Sequence, residues 1–188
     1  MMTRRMLDIV FALLGLLVAA PLLGALLLIG YCDTGAPLFR QTRVGRGQRP
    51  FVLLKFRTMR PETPHVATHL ADAAAITPLG RFLRRSKLDE LPQLWNVLRG
   101  EMSLVGPRPC LPTQTELIRE RAARGVFAAR PGITGLAQMC GIDMSTPALL
   151  AQTDADMLAR LNLGLYFRLI LLTIAGRGGG DRVKSQRH

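Results

Sequence analysis

The run IVFALLGLLVAAPLLGALLLIGYC, Ile9–Cys32, decides how this chain is laid out, because its 24 residues carry no charge. A helix crossing a bilayer core takes about 20 apolar residues, so the run is long enough. A cleaved secretory signal fits it poorly: signal cores hold about 7–15 apolar residues, and Pro21 falls where cleavage motifs do not take proline. Two features speak against a plain crossing. Pro21 lies near the middle, removes one helical hydrogen bond and disfavours helix at Ala20. Arginines also flank both sides, Arg4 and Arg5 before the run and Arg40, Arg43, Arg46 and Arg49 after it, whereas positive flanks belong on the cytoplasmic side. A helix broken at Ala20-Pro21 that enters the membrane and returns keeps both clusters on one side. A proline-kinked spanning helix is the alternative and separates them.

No second run of this length follows. Leu161–Ala175, LNLGLYFRLILLTIA, is shorter and contains Arg168, which suits an amphipathic helix in the interface or against the core. The expected class is α+β, mainly helical. Residues 1–33 form a re-entrant membrane hairpin, residues 34–176 a cytosolic domain with amphipathic interfacial helices, and residues 177–188 a disordered, Gly-rich basic tail drawn to anionic headgroups.

Charge narrows the partners. Of 188 residues, 25 are Lys or Arg and 13 Asp or Glu, giving +12, and all but three of the cations are arginine. Such an excess suits a phosphorylated substrate, anionic lipid or nucleic acid. With only 1 Trp, 2 Tyr and 7 Phe there is little for bases to stack on, and the basic clusters flank an apolar run, so nucleic acid is set aside. Cys32, Cys110 and Cys140 have neither metal spacing nor a disulfide framework, and read as small buried hydrophobes in a reducing compartment.

Along the domain, Leu38–Val44 and Phe51–Phe56 read as two strands around a Gly/Arg turn. Residues 60–75 read as a loop with a short helix. Thr77-Pro78 is an N-cap and first-turn pair, opening an apolar helical face from Leu79 to Leu98 that Gly100 ends. MSLV reads as a strand, 113–124 as a charged helix with Arg119, Arg121 and Arg124 on a solvated face, and Pro147–Leu161 as a helix. Trp95 reads as core or interface, and His65 and His69 as surface. Thr134 and the glycines of PGITG read as turn chemistry.

The chemistry centres on SKLDELPQL (86–94), where Asp89 and Glu90 stand beside Arg81, Arg84 and Arg85. The bland accounts are a capping box, Ser86-x-x-Asp89, or surface salt bridges to Arg84 or Arg85. The functional account is that carboxylates among cations hold Mg²⁺ against a diphosphate, or that an aspartate attacks phosphorus. Pro92 would kink the chain near the pair.

The motifs KFRTM (55–59), TPLGRFLRRSKLDELPQLWNVLRGEMSLVGPRP (77–109) and RPGITGLAQ (130–138), in that order, resemble the bacterial sugar transferases, the small monotopic polyprenyl-phosphate phosphoglycosyl transferases. The resemblance covers nearly the whole chain. It implies a membrane enzyme on the cytosolic face of the bacterial inner membrane that passes sugar-1-phosphate from a nucleoside diphosphate sugar, usually a UDP-sugar, to undecaprenyl phosphate. Asp89 would be the nucleophile and Glu90 its partner, both near Mg²⁺. Lys55, Arg84 and Arg108 would meet phosphates or the nucleotide, with Arg130 and Asp154 as further substrate contacts. Membrane lipids and downstream glycosyltransferases are the implied partners. The family's re-entrant break is a small residue before proline, matched by Ala20-Pro21. Many relatives carry Asn-Gly-Arg after GLAQ and an aromatic-rich late helix, where this chain has MCGIDMSTPALLAQTDADML. The competing class is a non-catalytic basic monotopic protein that binds anionic lipid or glycan-assembly partners.

Overall fold

The computed structural model describes residues 2–63 and 73–178. The pair His65 and His69, and the tail beyond Gly178, lie outside them. Helices α1 (Met2–Thr34), α2 (Pro78–Ser86), α3 (Gln93–Arg99), α4 (Thr115–Ala123), α5 (Leu136–Met139), α6 (Pro147–Arg160) and α7 (Leu163–Ile174) surround two small sheets, so the chain is mixed and mainly helical. The apolar run forms one helix, α1, of 33 residues with Pro21 inside it. The expected break at Ala20-Pro21 therefore does not divide it into two helices. Proline deletes a single backbone bond, strong helix formers lie on both sides, and Ala20 and Pro21 are exposed, so the ring meets no packed neighbour.

One stripe of α1 is docked. Asp8, Ala12, Leu26 and Gly30 are buried, and half-buried Gly15, Ala19 and Leu23 continue the same three-to-four-residue spacing between them. That spacing keeps one helical face on the domain throughout. At Gly15 a Cβ would sit 3.1 Å from Leu94 Cδ1, so glycine lets α1 approach α3 closely. Both ends are tied to the same domain. Arg5 donates from Nη1 to Val97 O at 2.7 Å and from Nη2 to Leu98 O at 3.0 Å, and near the other end Thr77 Oγ1 donates to Asp33 Oδ2 at 2.7 Å. The opposite face shows Val10, Leu14, Leu17, Val18 and Leu28 to the surroundings.

Strands β1 (Leu38–Val44) and β2 (Pro50–Phe56) form the expected antiparallel hairpin, Leu38 facing Phe56 and Val44 facing Pro50. Thr77 caps α2 as its sequence indicates, accepting from Gly80 N at 2.9 Å. The apolar helical stretch over 79–98 is in fact three pieces: α2, a 3₁₀ turn at Leu88–Glu90, and α3. Lys87 makes the corner in the left-handed region, φ 57°. Pro92 adds to the interruption: it has no N–H to give the carbonyl of Leu88, which accepts from Leu91 N instead.

The second sheet pairs β3 (Ser103–Val105) in parallel with β4 (Gly132–Thr134), with Ser103 beside Gly132 and Val105 beside Thr134. Here the glycine of PGITG serves close approach rather than a turn: a Cβ on Gly132 would lie 2.0 Å from Gly106 N. Gly132→Ala is therefore expected to destabilise by about 3 kcal/mol, the upper end for overpacking, and to lower the Tm by roughly 6–12 °C in a detergent-solubilised melt. An unchanged Tm would show that the β3–β4 contact yields freely.

Four residues depart from expectation. Cys110 is buried, and burial pushes its thiol up, but Cys32 and Cys140 are exposed. Trp95, read as core or interface, is half-exposed on α3 and outside the core, which leaves the interface reading. Arg177 and Gly178, assigned to the tail, pack on the domain: Arg177 O accepts from Lys87 Nζ, and Gly178 lies beside Met139.

Candidate active site

The corner between α2 and α3 carries Asp89 and Glu90. Its 3₁₀ geometry sets the two carboxylates out of register with either helix, and Asp89 is 5 % exposed. The capping box does not form, because Ser86 Oγ donates backwards within α2 to Phe82 O at 2.8 Å and Leu83 O at 3.2 Å. Nor is Glu90 paired with the arginines of α2. Its Oε1 accepts from Arg108 Nη2 at 2.9 Å, bridging the corner to the Pro107-Arg108-Pro109 turn.

Two more cations come from separate elements. Both α2 and β2 pack on the 88–90 turn. Lys55, on β2, is buried with its ammonium 5.5 Å from the Phe39 ring centroid. Arg84, in the last turn of α2, donates from Nε to Thr58 Oγ1 at 2.9 Å, which steers its guanidinium along the end of KFRTM. Thr58 is itself locked under α2: a Cβ on Gly80 would lie 2.0 Å from Thr58 O, so only glycine allows that contact. Asp89, Glu90, Lys55, Arg84 and Arg108 thus belong to one region, built by β2, α2, the corner turn and the loop after β3.

Asp154 and Arg130 do not join it. Asp154 Oδ2 accepts from Arg121 Nη2 at 2.6 Å and Nε at 3.0 Å inside the core, the two side chains being 1 % and 2 % exposed. Burial pushes the Asp154 carboxyl up, while the Arg121 guanidinium pulls it back down. Arg121 is therefore not on a solvated face. It lies four residues after buried Leu117, on the apolar side of α4, and that spacing is the signal in the sequence that points inward. Arg130 donates from Nε to Gly100 O at 2.8 Å and lines a cavity with Arg4 and Arg5 rather than with Glu90.

The sequence reading also missed how the Pro-Arg-Pro turn is held. Arg121 Nη1 donates to Arg108 O at 2.8 Å, Arg43 Nη1 donates to Pro109 O at 3.0 Å, and Val44 N donates to Cys110 O at 3.0 Å. Arg43, a membrane-flank cation by sequence, is buried beside Gln41, whose Oε1 accepts from its Nη2 at 2.7 Å. The alternation of β1, with Gln41 and Arg43 inward and Arg40 and Thr42 outward, is the only local hint of this. Chemically, the region offers a carboxylate pair inside a cationic rim, suited to a bound diphosphate.

A model of the bacterial sugar transferase family matches residues 1–177. A UDP-glucose:undecaprenyl-phosphate glucose-1-phosphate transferase of Caulobacter vibrioides is 44% identical over 183 residues, covering 91% of this chain and 68% of that protein. A protein of the same description from Xanthomonas campestris is 40% identical, covering 88% of this chain and 37% of its own length. The uncharacterized sugar transferase EpsL of Bacillus subtilis is 39% identical, with 93% of this chain and 86% of that protein covered. The family pattern runs through α1, the carboxylate corner and the Pro-Arg-Pro turn alike, and this chain belongs to the bacterial sugar transferase family of enzymes.

Proposed function

We propose that the protein transfers sugar-1-phosphate from a UDP-sugar to undecaprenyl phosphate through a covalent enzyme intermediate. The observation that carries this reading is the Asp89-Glu90 corner, where Glu90 pairs with Arg108 and the elements that carry Lys55 and Arg84 pack on the same turn. The relatives' descriptions supply the substrate class.

In the first half-reaction an Asp89 carboxylate oxygen attacks the phosphorus that bears the sugar. The new P–O bond forms as the bond from that phosphorus to the oxygen bridging to UMP breaks, and UMP leaves with that oxygen. In the second half, an oxygen of undecaprenyl phosphate attacks the same phosphorus and releases the carboxylate. Two P–O bonds form and two break, with no net redox change. Lys55, Arg84 and Arg108 neutralise charge that spreads over the phosphate oxygens. Glu90 holds Arg108 in place through their ion pair.

Mg²⁺ fits the donor set. Among the described residues there is no group of three metal-type side chains, and Mg²⁺ is held by one or two carboxylates with water and substrate phosphates completing its shell. Asp89 and Glu90 would hold it, and bound there it supplies neutralisation of the diphosphate. Removing divalent cations with a chelator is expected to lower the rate by roughly a hundredfold or more, with recovery on adding Mg²⁺. Full activity in chelator would overturn the metal requirement.

The membrane setting follows from α1. Its length and composition suffice to cross a bilayer, yet Arg5 and Asp33 near its two ends are tied to the same domain. A crossing helix would carry one end roughly 30 Å away across the hydrocarbon core. We therefore read α1 as lying in one leaflet, its exposed apolar face in lipid and the domain on the cytosolic side of the inner membrane.

The direct test is UMP release from a panel of UDP-sugars, UDP-glucose first, with Mg²⁺ and undecaprenyl phosphate. Release that depends on the lipid acceptor supports the reading. Lipid binding indifferent to nucleotide, with no release from any donor, would favour the non-catalytic alternative.

A further inference from the structure

Away from the carboxylate corner, a cavity of about 270 Å³ opens beneath the first turns of α1, lined by Arg4, Arg5 and Asp8 with Arg130, Leu161 and Tyr166. Its charge is one-sided. Asp8 Oδ1 accepts from Ser103 Oγ at 3.0 Å, Leu104 N at 2.9 Å and Tyr166 Oη at 2.8 Å, so it serves to bind α1 to β3 and α7. It forms no ion pair among the described residues.

A purely structural account covers part of the cluster. Arg5 and Arg130 cap the C-terminal end of α3, where cations meet unsatisfied carbonyls, through Val97 O, Leu98 O and Gly100 O. That account uses both Nη groups of Arg5 but only Nε of Arg130. The Nη groups of Arg130, and all of Arg4, have no hydrogen-bond or ion-pair partner among the described residues. Burial, and then the like charges of Arg5 and Arg46, hold the Arg130 guanidinium below its ordinary value, against a smaller pull from Asp8. An anion in the cavity would offset the like charges and give Arg4 and the Nη groups of Arg130 a partner.

The location points to an amphiphile. Exposed Met6 and Val10 on α1, and Leu163 and Phe167 on α7, lie beside the cavity's own elements. Phe11 and Phe167 join the two helices edge to face, centroids 6.0 Å apart. Guanidinium groups at the rim of an apolar surface match a phosphate headgroup with its chains in lipid. We propose that this cavity is a second anion site, separate from Asp89 and Glu90, in which Arg4 and Arg130 bind the phosphate of an anionic lipid. This rests on the reading of α1 as seated in the membrane.

Native mass spectrometry of the full chain in neutral detergent tests it, with phosphatidylglycerol, phosphatidylcholine and inorganic phosphate as probes. Wild type is expected to retain one phosphatidylglycerol in preference to phosphatidylcholine. Arg130→Gln and Arg4→Gln should each weaken that retention roughly tenfold, the effect of losing one charge-assisted contact, while exposed Arg119→Gln should not. Arg4 makes no contact that folding needs, so its variant separates binding from misfolding. Displacement by millimolar inorganic phosphate would keep the phosphate site and assign it to a soluble anion. Equal retention of both lipids, or unaltered retention in both variants, would overturn the site. Insertion into nanodiscs of phosphatidylcholine alone reads the seating of α1 independently: protein that inserts yet shows no lipid preference defeats the anion site and leaves the membrane reading intact.

Discussion

Asp89→Asn is expected to lower UDP-sugar-dependent UMP release by roughly 10⁴-fold or more, the scale on which removing a covalent nucleophile acts. The amide keeps the shape of the side chain but is a far weaker nucleophile. Because Asp89 sits in a short turn held on either side by α2 and α3, the variant should fold and still bind donor. Mass spectrometry on wild type given UDP-sugar without acceptor should find a phosphosugar adduct on Asp89, absent from the variant. Near-normal turnover by Asp89→Asn would sink the covalent mechanism while leaving the transferase reading standing. Glu90→Gln provides the contrast: it weakens the ion pair with Arg108, so it should slow transfer less and still permit the adduct.

Asp154→Leu is expected to be the most destabilising of the single substitutions considered, though Asp154 touches no substrate in this reading. It would leave the Arg121 guanidinium, 2 % exposed, without its partner. An uncompensated buried charge costs about 3–5 kcal/mol, equivalent to a fall in Tm of roughly 6–20 °C for a chain of this size. The double variant Arg121→Met with Asp154→Leu removes both charges and should recover most of the lost stability. Activity should not recover with it, because Arg121 also donates to the carbonyl of Arg108 and so positions the guanidinium that meets Glu90. Stability and activity returning together would show that Arg121 acts only in the core.

These two cases differ in how far they could be read from the chain. Asp89 and Glu90 stand in one motif of nine residues, SKLDELPQL, and their setting among arginines is visible in the sequence. The Arg121–Asp154 pair joins residues 33 positions apart, and neither residue shows its partner locally. Arg121 looked solvated because its neighbours Arg119 and Arg124 are charged, though its step of four from Leu117 placed it on the inner face. The capping box failed for a related reason. Ser86 has two local options for its hydroxyl, and with Lys87 turned left-handed it bonds back into α2 instead of forward to the corner.

By itself the sequence determined what a few neighbouring residues can settle: the long apolar run and its basic flanks, the β1–β2 hairpin, the Thr77-Pro78 start of α2, and the carboxylate pair. Those follow from hydrophobic run length, two-residue alternation, capping and motif order, all of which act over a handful of positions. Only the tertiary structure decided that α1 continues through Pro21 with both ends on one domain, that Glu90 pairs with Arg108, and that Arg43 and Arg121 hold the Pro-Arg-Pro turn from inside. It also moved Arg130 away from the carboxylates and into company with Arg4 and Arg5. The reason is that arginine is long and five-donored: the same residue serves as solvated charge, helix cap, buried strut or phosphate ligand. Which of these it becomes depends on the carbonyls and carboxylates that folding brings within about 3 Å of it.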